Sequence, residues 1–167
     1  RYTIQIEATD SVGNQIIRLI ETSDPTFGGD DQIQTFNGPD IVFGGTQDDT
    51  VLAGGNDEAR DIVIGDNGFA IFDSEADGNV LREIRTTDPD QAGDDTIVTF
   101  NGSDIVFGGS LNDNIDAGGP LSENDADFVL GDNGFAIFDP VTNSNFLRIL
   151  QTTDPLNVGD DFIQKTI

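Results

Sequence analysis

Nine aspartates stand two residues ahead of a β-branched residue: Asp31/Ile33, Asp40/Val42, Asp49/Val51, Asp61/Val63, Asp95/Ile97, Asp104/Val106, Asp113/Ile115, Asp127/Val129 and Asp161/Ile163. Carboxylates placed this way can cap turns by accepting backbone N–H groups, or offer oxygen to a hard cation. The rest of the composition removes most other chemistry. There is no Cys and no His, so disulfides, the usual zinc and iron sites, and every Ser-His or Cys-His arrangement are excluded. Oxygen is the only strong ligand type left.

The charge balance says why a cation matters. Seven basic residues stand against 32 acidic ones, for a formal net charge of −25. Such a chain repels itself and disfavours nucleic acid and anionic membranes as partners. It either stays disordered or folds around cations that neutralise its carboxylates. Twelve Phe, and Ile and Val at regular spacing, argue for folding. No apolar run approaches the ~20 residues needed to cross a bilayer. The chain opens on Arg1 without a signal peptide and is expected to be a mature piece or an excised segment.

The elements that position the aspartates follow from their spacing. Within a unit, consecutive aspartates lie 9, 9 and then 12 or 14 residues apart, which suits no helix. Short strands fit: a turn of about six residues rich in Gly, Asn and Asp, then a strand of about three. Side chains alternate along a strand, so Ile33, Val42, Val51 and Val63 can face one interior. One large apolar residue per rung, worth roughly 1.5–3 kcal/mol, does not offset the ordering of nine residues at ~1–2 kcal/mol each. A further source of stability is expected. The rhythm belongs to a larger repeat: GDD recurs at 29–31 (as GGDD), 93–95 and 159–161, TFNGPDIVFGG (35–45) becomes TFNGSDIVFGG (99–109), and the steps are 64 and 66 residues.

GGTQDDTVL (44–52) and GGSLNDNID (108–116) resemble the calcium-binding nonapeptide repeats of the RTX (hemolysin-type) family, G-G-x-G-x-D-x-U-x, with Gln47 and Leu111 in place of the turn's later glycine. TFNGPDIVF and TFNGSDIVF keep Gly38 or Gly102, the Asp and the apolar residue but lose the Gly-Gly pair, and the rungs ending in Asp61 and Asp127 carry insertions. The resemblance covers about half of the chain, roughly 31–66, 95–132 and the tail from 159. It implies an all-β fold, a parallel β-roll (β-solenoid) interrupted by antiparallel hairpins, with Ca2+ held between turns stacked on the same side. Carried over, Asp31 and Asp49 share one side and Asp40 and Asp61 the other, repeated by Asp95/Asp113 and Asp104/Asp127; Asp161 opens the next unit. Each ion would take carboxylates from adjacent turns and backbone carbonyls of Gly and Asn, matching the six to eight oxygens calcium prefers. The alternative is a metal-free solenoid in which these aspartates only form turns.

GDNGFAIFD occurs verbatim at 65–73 and 131–139. GDNG signals a turn, and FAIFD puts Phe69 and Ile71 on one face and Phe72 on the other. A second strand follows in LREIRTTDP or LRILQTTDP, so each copy begins a hairpin whose tip varies. Asp66 and Asp132 are either further calcium ligands, helped by Asn67 and Asn133, or plain turn residues. Asp24, Asp88 and Asp154, each before Pro, read first as turn closures. Arg18, Arg82 and Arg148 recur at one hairpin position and either anchor the hairpin to the roll or are solvated charges. The expected organisation is a hairpin at 1–27, unit 1 at 28–92 (rungs 28–66, hairpin 67–92), unit 2 at 93–158 (rungs 93–132, hairpin 133–158) and the start of a third unit at 159–167.

The functional expectation is a non-enzymatic, calcium-stabilised structural module of a large secreted or cell-surface protein, unfolded where calcium is scarce and ordered outside the cell. Neighbouring repeats or copies of itself, stacked end to end into a fibre, are the expected partners besides calcium; nucleic acid and membrane insertion are not expected. The alternative is a carbohydrate-binding or polysaccharide-modifying solenoid module. One Tyr, no Trp and no His leave little to hold a sugar or move a proton, and carboxylates that repeat are unlike a catalytic site.

Overall fold

The computed structural model covers residues 2–9, 15–73, 80–119, 125–139 and 146–165, to which the structural statements below refer. These residues form fifteen β-strands and no helix. Three antiparallel hairpins, β1 (Tyr2–Thr9) with β2 (Gln15–Thr22), β7 (Gly68–Asp73) with β8 (Val80–Thr86), and β13 (Gly134–Phe138) with β14 (Leu147–Thr152), join into one six-stranded sheet. Between them run short strands: β3 (Gln32–Gln34), β4 (Ile41–Phe43), β5 (Thr50–Ala53) and β6 (Ile62–Ile64), then β9 (Thr96–Thr99), β10 (Ile105–Gly109), β11 (Asn114–Ala117) and β12 (Phe128–Asp132), and finally β15 (Phe162–Gln164). The chain alternates between two parallel sheets, a five-stranded one in the order β3-β5-β9-β11-β15 and a four-stranded one in the order β4-β6-β10-β12.

The register follows the Asp-x-Ile/Val rhythm. Ile33, Val51, Ile97, Ile115 and Ile163 lie opposite one another across the five-stranded sheet. Val42, Val63, Val106 and Val129 do the same across the four-stranded one. All but Ile163 belong to, or pack on, a single apolar cluster between the two sheets. Ile163, on the outermost strand, is 49 % exposed.

The core is thicker than one apolar residue per rung. The triplets of the four-stranded sheet are apolar on both faces: the central Val points to the five-stranded sheet, and its neighbours point the other way. Phe43, Ile62, Ile64, Ile105 and Phe107 form a second cluster with Ala70, Phe72, Leu81, Ile84, Ala136 and Phe138 from the hairpins. The molecule is therefore three-layered, with the four-stranded sheet in the middle. The expectation of a thin core is corrected here: the hairpins cover the outer face of the roll-like strands, and each such side chain adds roughly 1.5–3 kcal/mol of burial.

This layering explains the verbatim nonapeptide residue by residue. Ala70 and Phe72 are buried in the second core. A side chain on Gly68 would collide with the Arg85 carbonyl and Ile64. Asn67 Nδ2 donates to Thr46 Oγ1 and to the Gln91 carbonyl, both at 2.9 Å. Thr22 and Thr86 of the recurring T-S/T-D-P loops accept the N–H of Gly68 and Gly134 through their hydroxyls. The loops themselves are held by Thr46 and Ser110, whose hydroxyls donate to the Pro25 and Pro89 carbonyls. Each closes a turn at its Asp: the N–H groups of Phe27, Gln91 and Asn157 donate to the carbonyls of Asp24, Asp88 and Asp154.

Two of the three repeated arginines, Arg18 and Arg82, join one hairpin to the next, and Arg148 lies beside an acid of its own hairpin. Arg82 pairs with Asp73 of its own hairpin at 2.7 Å and donates to the Asp139 carbonyl of the next. Arg18 reaches forward to the Phe72 carbonyl, with Asp73 at 3.9 Å, and Arg148 lies 3.9 Å from Asp139. The final Asp of the nonapeptide is thus fixed by arginines from both sides.

Candidate metal centre

The turns stack in two columns, and each column carries a ladder of aspartates. In the first, the N–H of Asp31 donates to Asp49 Oδ1, Asp49 to Asp95, Asp95 to Asp113 and Asp113 to Asp161, at 2.8–3.0 Å. In the second, Asp40 donates to Asp61, Asp61 to Asp104 and Asp104 to Asp127, at 2.8–3.0 Å. Nine of the eleven candidate ligands are therefore brought together, grouped by side as the resemblance to nonapeptide repeats implies. Parallel pairing in register requires this, since each aspartate sits at the same offset before its strand.

For Asp49, Asp61, Asp95, Asp104 and Asp113 one oxygen is thereby used and the other is not. Oδ2 of Asp40, Asp49, Asp61, Asp95, Asp104 and Asp113 is buried without a hydrogen-bond partner. In the first column this oxygen faces glycine. A side chain on Gly44 would collide with Asp49 Oδ2 and the Gly65 carbonyl, one on Gly65 with Asp95 Oδ2 and the Gly108 carbonyl, and one on Gly108 with Asp113 Oδ2 and the Gly131 carbonyl. A carboxylate oxygen and a carbonyl oxygen from adjacent turns thus converge beside each glycine. This is why the turn has glycine there: any Cβ would fill the cradle.

Burial makes these groups poor anions. It is the largest influence on each, opposed by the N–H bond to Oδ1 and reinforced by neighbouring carboxylates. Asp49 and Asp104 are pushed up to about 6, Asp61 and Asp95 to about 7 and Asp113 to about 9. Asp161, nearer the surface, is raised by the same causes. Column stacking therefore needs a proton or a cation at neutral pH.

The remaining candidates behave differently. Asp66 is buried, and both its oxygens are occupied, by the N–H groups of Gly93 at 3.0 Å and Ser110 at 2.7 Å. It is pushed up to about 8, chiefly by burial, against those bonds and with the Asp95 charge. Asp132 accepts the Gly159 N–H at 3.2 Å. Both thus tie the hairpin exit to the next turn, across 27 residues. Asp127 accepts the Asp104 N–H and also pairs with Lys165 at 3.1 Å. Asp31 lies at the start of its column and is exposed.

Two features escaped the sequence reading. A third ladder runs outside the first column with opposite polarity: the N–H groups of Asp94, Asn112 and Asp160 donate back to the side chains of Asp48, Asp94 and Asn112, each at 2.9 Å. The doubled acids at 48–49, 94–95 and 160–161 were its signal. The second is the bond from Asn133 Nδ2 to Ser110 Oγ, which holds the residue so that its buried amide oxygen, the atom the sequence offered to an ion, is left unpartnered.

Does a hard cation fit? Among the described residues no three acidic side chains converge on one point. A site must therefore combine one or two carboxylates with backbone carbonyls, an all-oxygen set of the kind calcium accepts. The paired oxygens beside Gly44, Gly65 and Gly108 supply that kind of set. Comparison with known proteins finds no matching family model, curated protein or solved structure.

Proposed function

We propose that this chain is a calcium-stabilised structural repeat module, a parallel β-roll carrying inserted hairpins, from a large secreted or cell-surface protein. The observation that carries the reading is the set of six buried Oδ2 atoms without partners. Leaving that many carboxylate oxygens dry is costly unless a cation meets them. Asp40, Asp49, Asp61, Asp95, Asp104 and Asp113 would hold the ions, with Asp31, Asp127 and Asp161 completing the column ends and glycine carbonyls supplying further oxygens. Asp66 and Asp132 act instead as caps for neighbouring turns, through the N–H groups they accept.

Calcium bound only by the folded chain contributes its binding free energy to folding, so order follows calcium concentration. That suits a protein that orders outside the cell, where calcium is abundant. The two columns are polar, N–H donors facing one way and carboxylate acceptors the other, which favours head-to-tail contact between like repeats. No catalytic role is assigned, since the buried acids recur in register rather than forming one distinct site.

Circular dichroism of the chain with calcium, with magnesium and with a chelator tests the reading. Strand signal should survive to the highest temperature in calcium, to a lower one in magnesium and to the lowest with chelator at pH 8. A spectrum indifferent to chelation would remove the ion from its assigned role.

A further inference from the structure

A cavity of about 330 Å³ opens between the six-stranded and four-stranded sheets in the first unit. Its buried wall is Ile62, Phe72 and Leu81, with Ile20 beside them, and Pro39, Asp40 and Arg60 line it where it meets solvent. The volume falls at the lower end of the ~300–1,000 Å³ typical of small-molecule sites.

The repeat breaks at this cavity. Ile20, Phe72 and Leu81 have Ile84, Phe138 and Leu147 as counterparts one unit later, but Ile62 is replaced by Phe128, Pro39 by Ser103 and Arg60 by Ala126. Phe128 packs against the same core cluster, so the second unit places a ring where the first leaves room. At this concave place the units keep three apolar lining positions and change the three that set its depth and its rim.

The polar groups there select a chemistry. Arg60 is fixed by one nitrogen, Nε donating to the Ser103 carbonyl at 2.8 Å, which leaves its terminal N–H groups directed by a rigid fork. They favour a hydrogen-bond acceptor. The chain's net charge of −25, only partly offset by a few bound cations, opposes an ionised carboxylate.

We infer that this cavity binds a small neutral amphiphile, with an aliphatic chain of roughly eight carbons against Ile62, Phe72 and Leu81 and an uncharged carbonyl head, of the amide, ester or lactone class, accepting from Arg60. The test is isothermal titration of the full chain, in calcium buffer, with octanamide, octanoate and octylamine. Octanamide should saturate a single site, and the two charged analogues should bind at least about tenfold more weakly. Ile62→Phe, which copies the second unit, should abolish octanamide binding without lowering the thermal midpoint, and Arg60→Ala should weaken it about tenfold. No saturable octanamide binding, tighter binding of octanoate, or binding that Ile62→Phe leaves intact would each overturn the assignment.

Discussion

Replacing Asp95 by Asn separates the two roles of its carboxylate. Oδ1 accepts the Asp49 N–H at 2.8 Å, and an amide oxygen can do the same. Oδ2 has no partner and faces the Gly108 carbonyl across Gly65; an amide nitrogen there could donate where the carboxylate oxygen cannot. Burial first, then the charges of Asp49, Asp48 and Asp94, raise this acid from 3.8 to about 7 in the folded chain, against the pull of the Asp49 N–H. The folded state therefore holds its proton more tightly than the unfolded one. The cost of ionisation is absent below pH ~4, grows as pH rises through that interval, and levels off above pH 7 at about 4 kcal/mol. At pH 8.5 in chelator, Asp95→Asn should raise the unfolding free energy by up to about that 4 kcal/mol. In millimolar calcium the ion already neutralises the wild-type carboxylate, and the variant, lacking a charged ligand, should be the less stable of the two. Urea titrations followed by circular dichroism give both differences. A variant that is destabilised equally in chelator and in calcium would show that the carboxylate serves only the backbone, and the reasoning would fail.

The same linkage predicts that the chelated wild-type chain melts higher at pH 5 than at pH 8, because Asp61, Asp95 and Asp113 are protonated at the lower pH; a midpoint that rises toward pH 8 in chelator would contradict it. Gly65→Ala places a methyl against Asp95 Oδ2 and the Gly108 carbonyl and should cost several times more than Gly29→Ala, where the added methyl meets nothing within 4 Å; thermal melts compare them. Leu111 holds φ 75° and Gln47 φ 80°, so Leu111→Gly and Gln47→Gly should each stabilise by up to about 1 kcal/mol, measured as a shift in urea midpoint. Phe72→Ala should cost about 3–5 kcal/mol if the hairpins form a true second core, and a loss below 1 kcal/mol would demote them to surface decoration.

Much of this was legible in the residues. Asp-x-Ile/Val repeated at 9-residue steps led to short strands whose β-branched residues share one interior, and the resemblance to nonapeptide repeats supplied their parallel pairing, which the register shows. The grouping of Asp31 with Asp49 and of Asp40 with Asp61 was implied by that resemblance rather than by the spacing itself. The second core was harder to see. Ile41-Val42-Phe43 is too short to show a period, and whether its flanking residues face solvent or protein depends on hairpins some 30 residues away. Nor does spacing reveal what each oxygen does. That Oδ1 would take a backbone N–H from the adjoining turn, and that Asp66 would use both oxygens this way while Asp95 uses one, depends on how the turns nest. The arginines likewise found partners through the pairing of one hairpin with the next, as in Arg82 on Asp139, a contact between different units.

The thicker core changes what the ions are asked to do. With hairpins covering the four-stranded sheet, apolar burial carries more of the fold, and on the proposed reading calcium would serve chiefly to neutralise the turn columns. The most direct check is an anomalous difference map from crystals of the chain grown with calcium and then exchanged for a lanthanide. The account predicts peaks between successive turns of the first column, within bonding distance of Oδ2 of Asp49, Asp95 or Asp113. A map of comparable quality with those turns empty, and the same aspartates bonded only to backbone N–H groups, would contradict it.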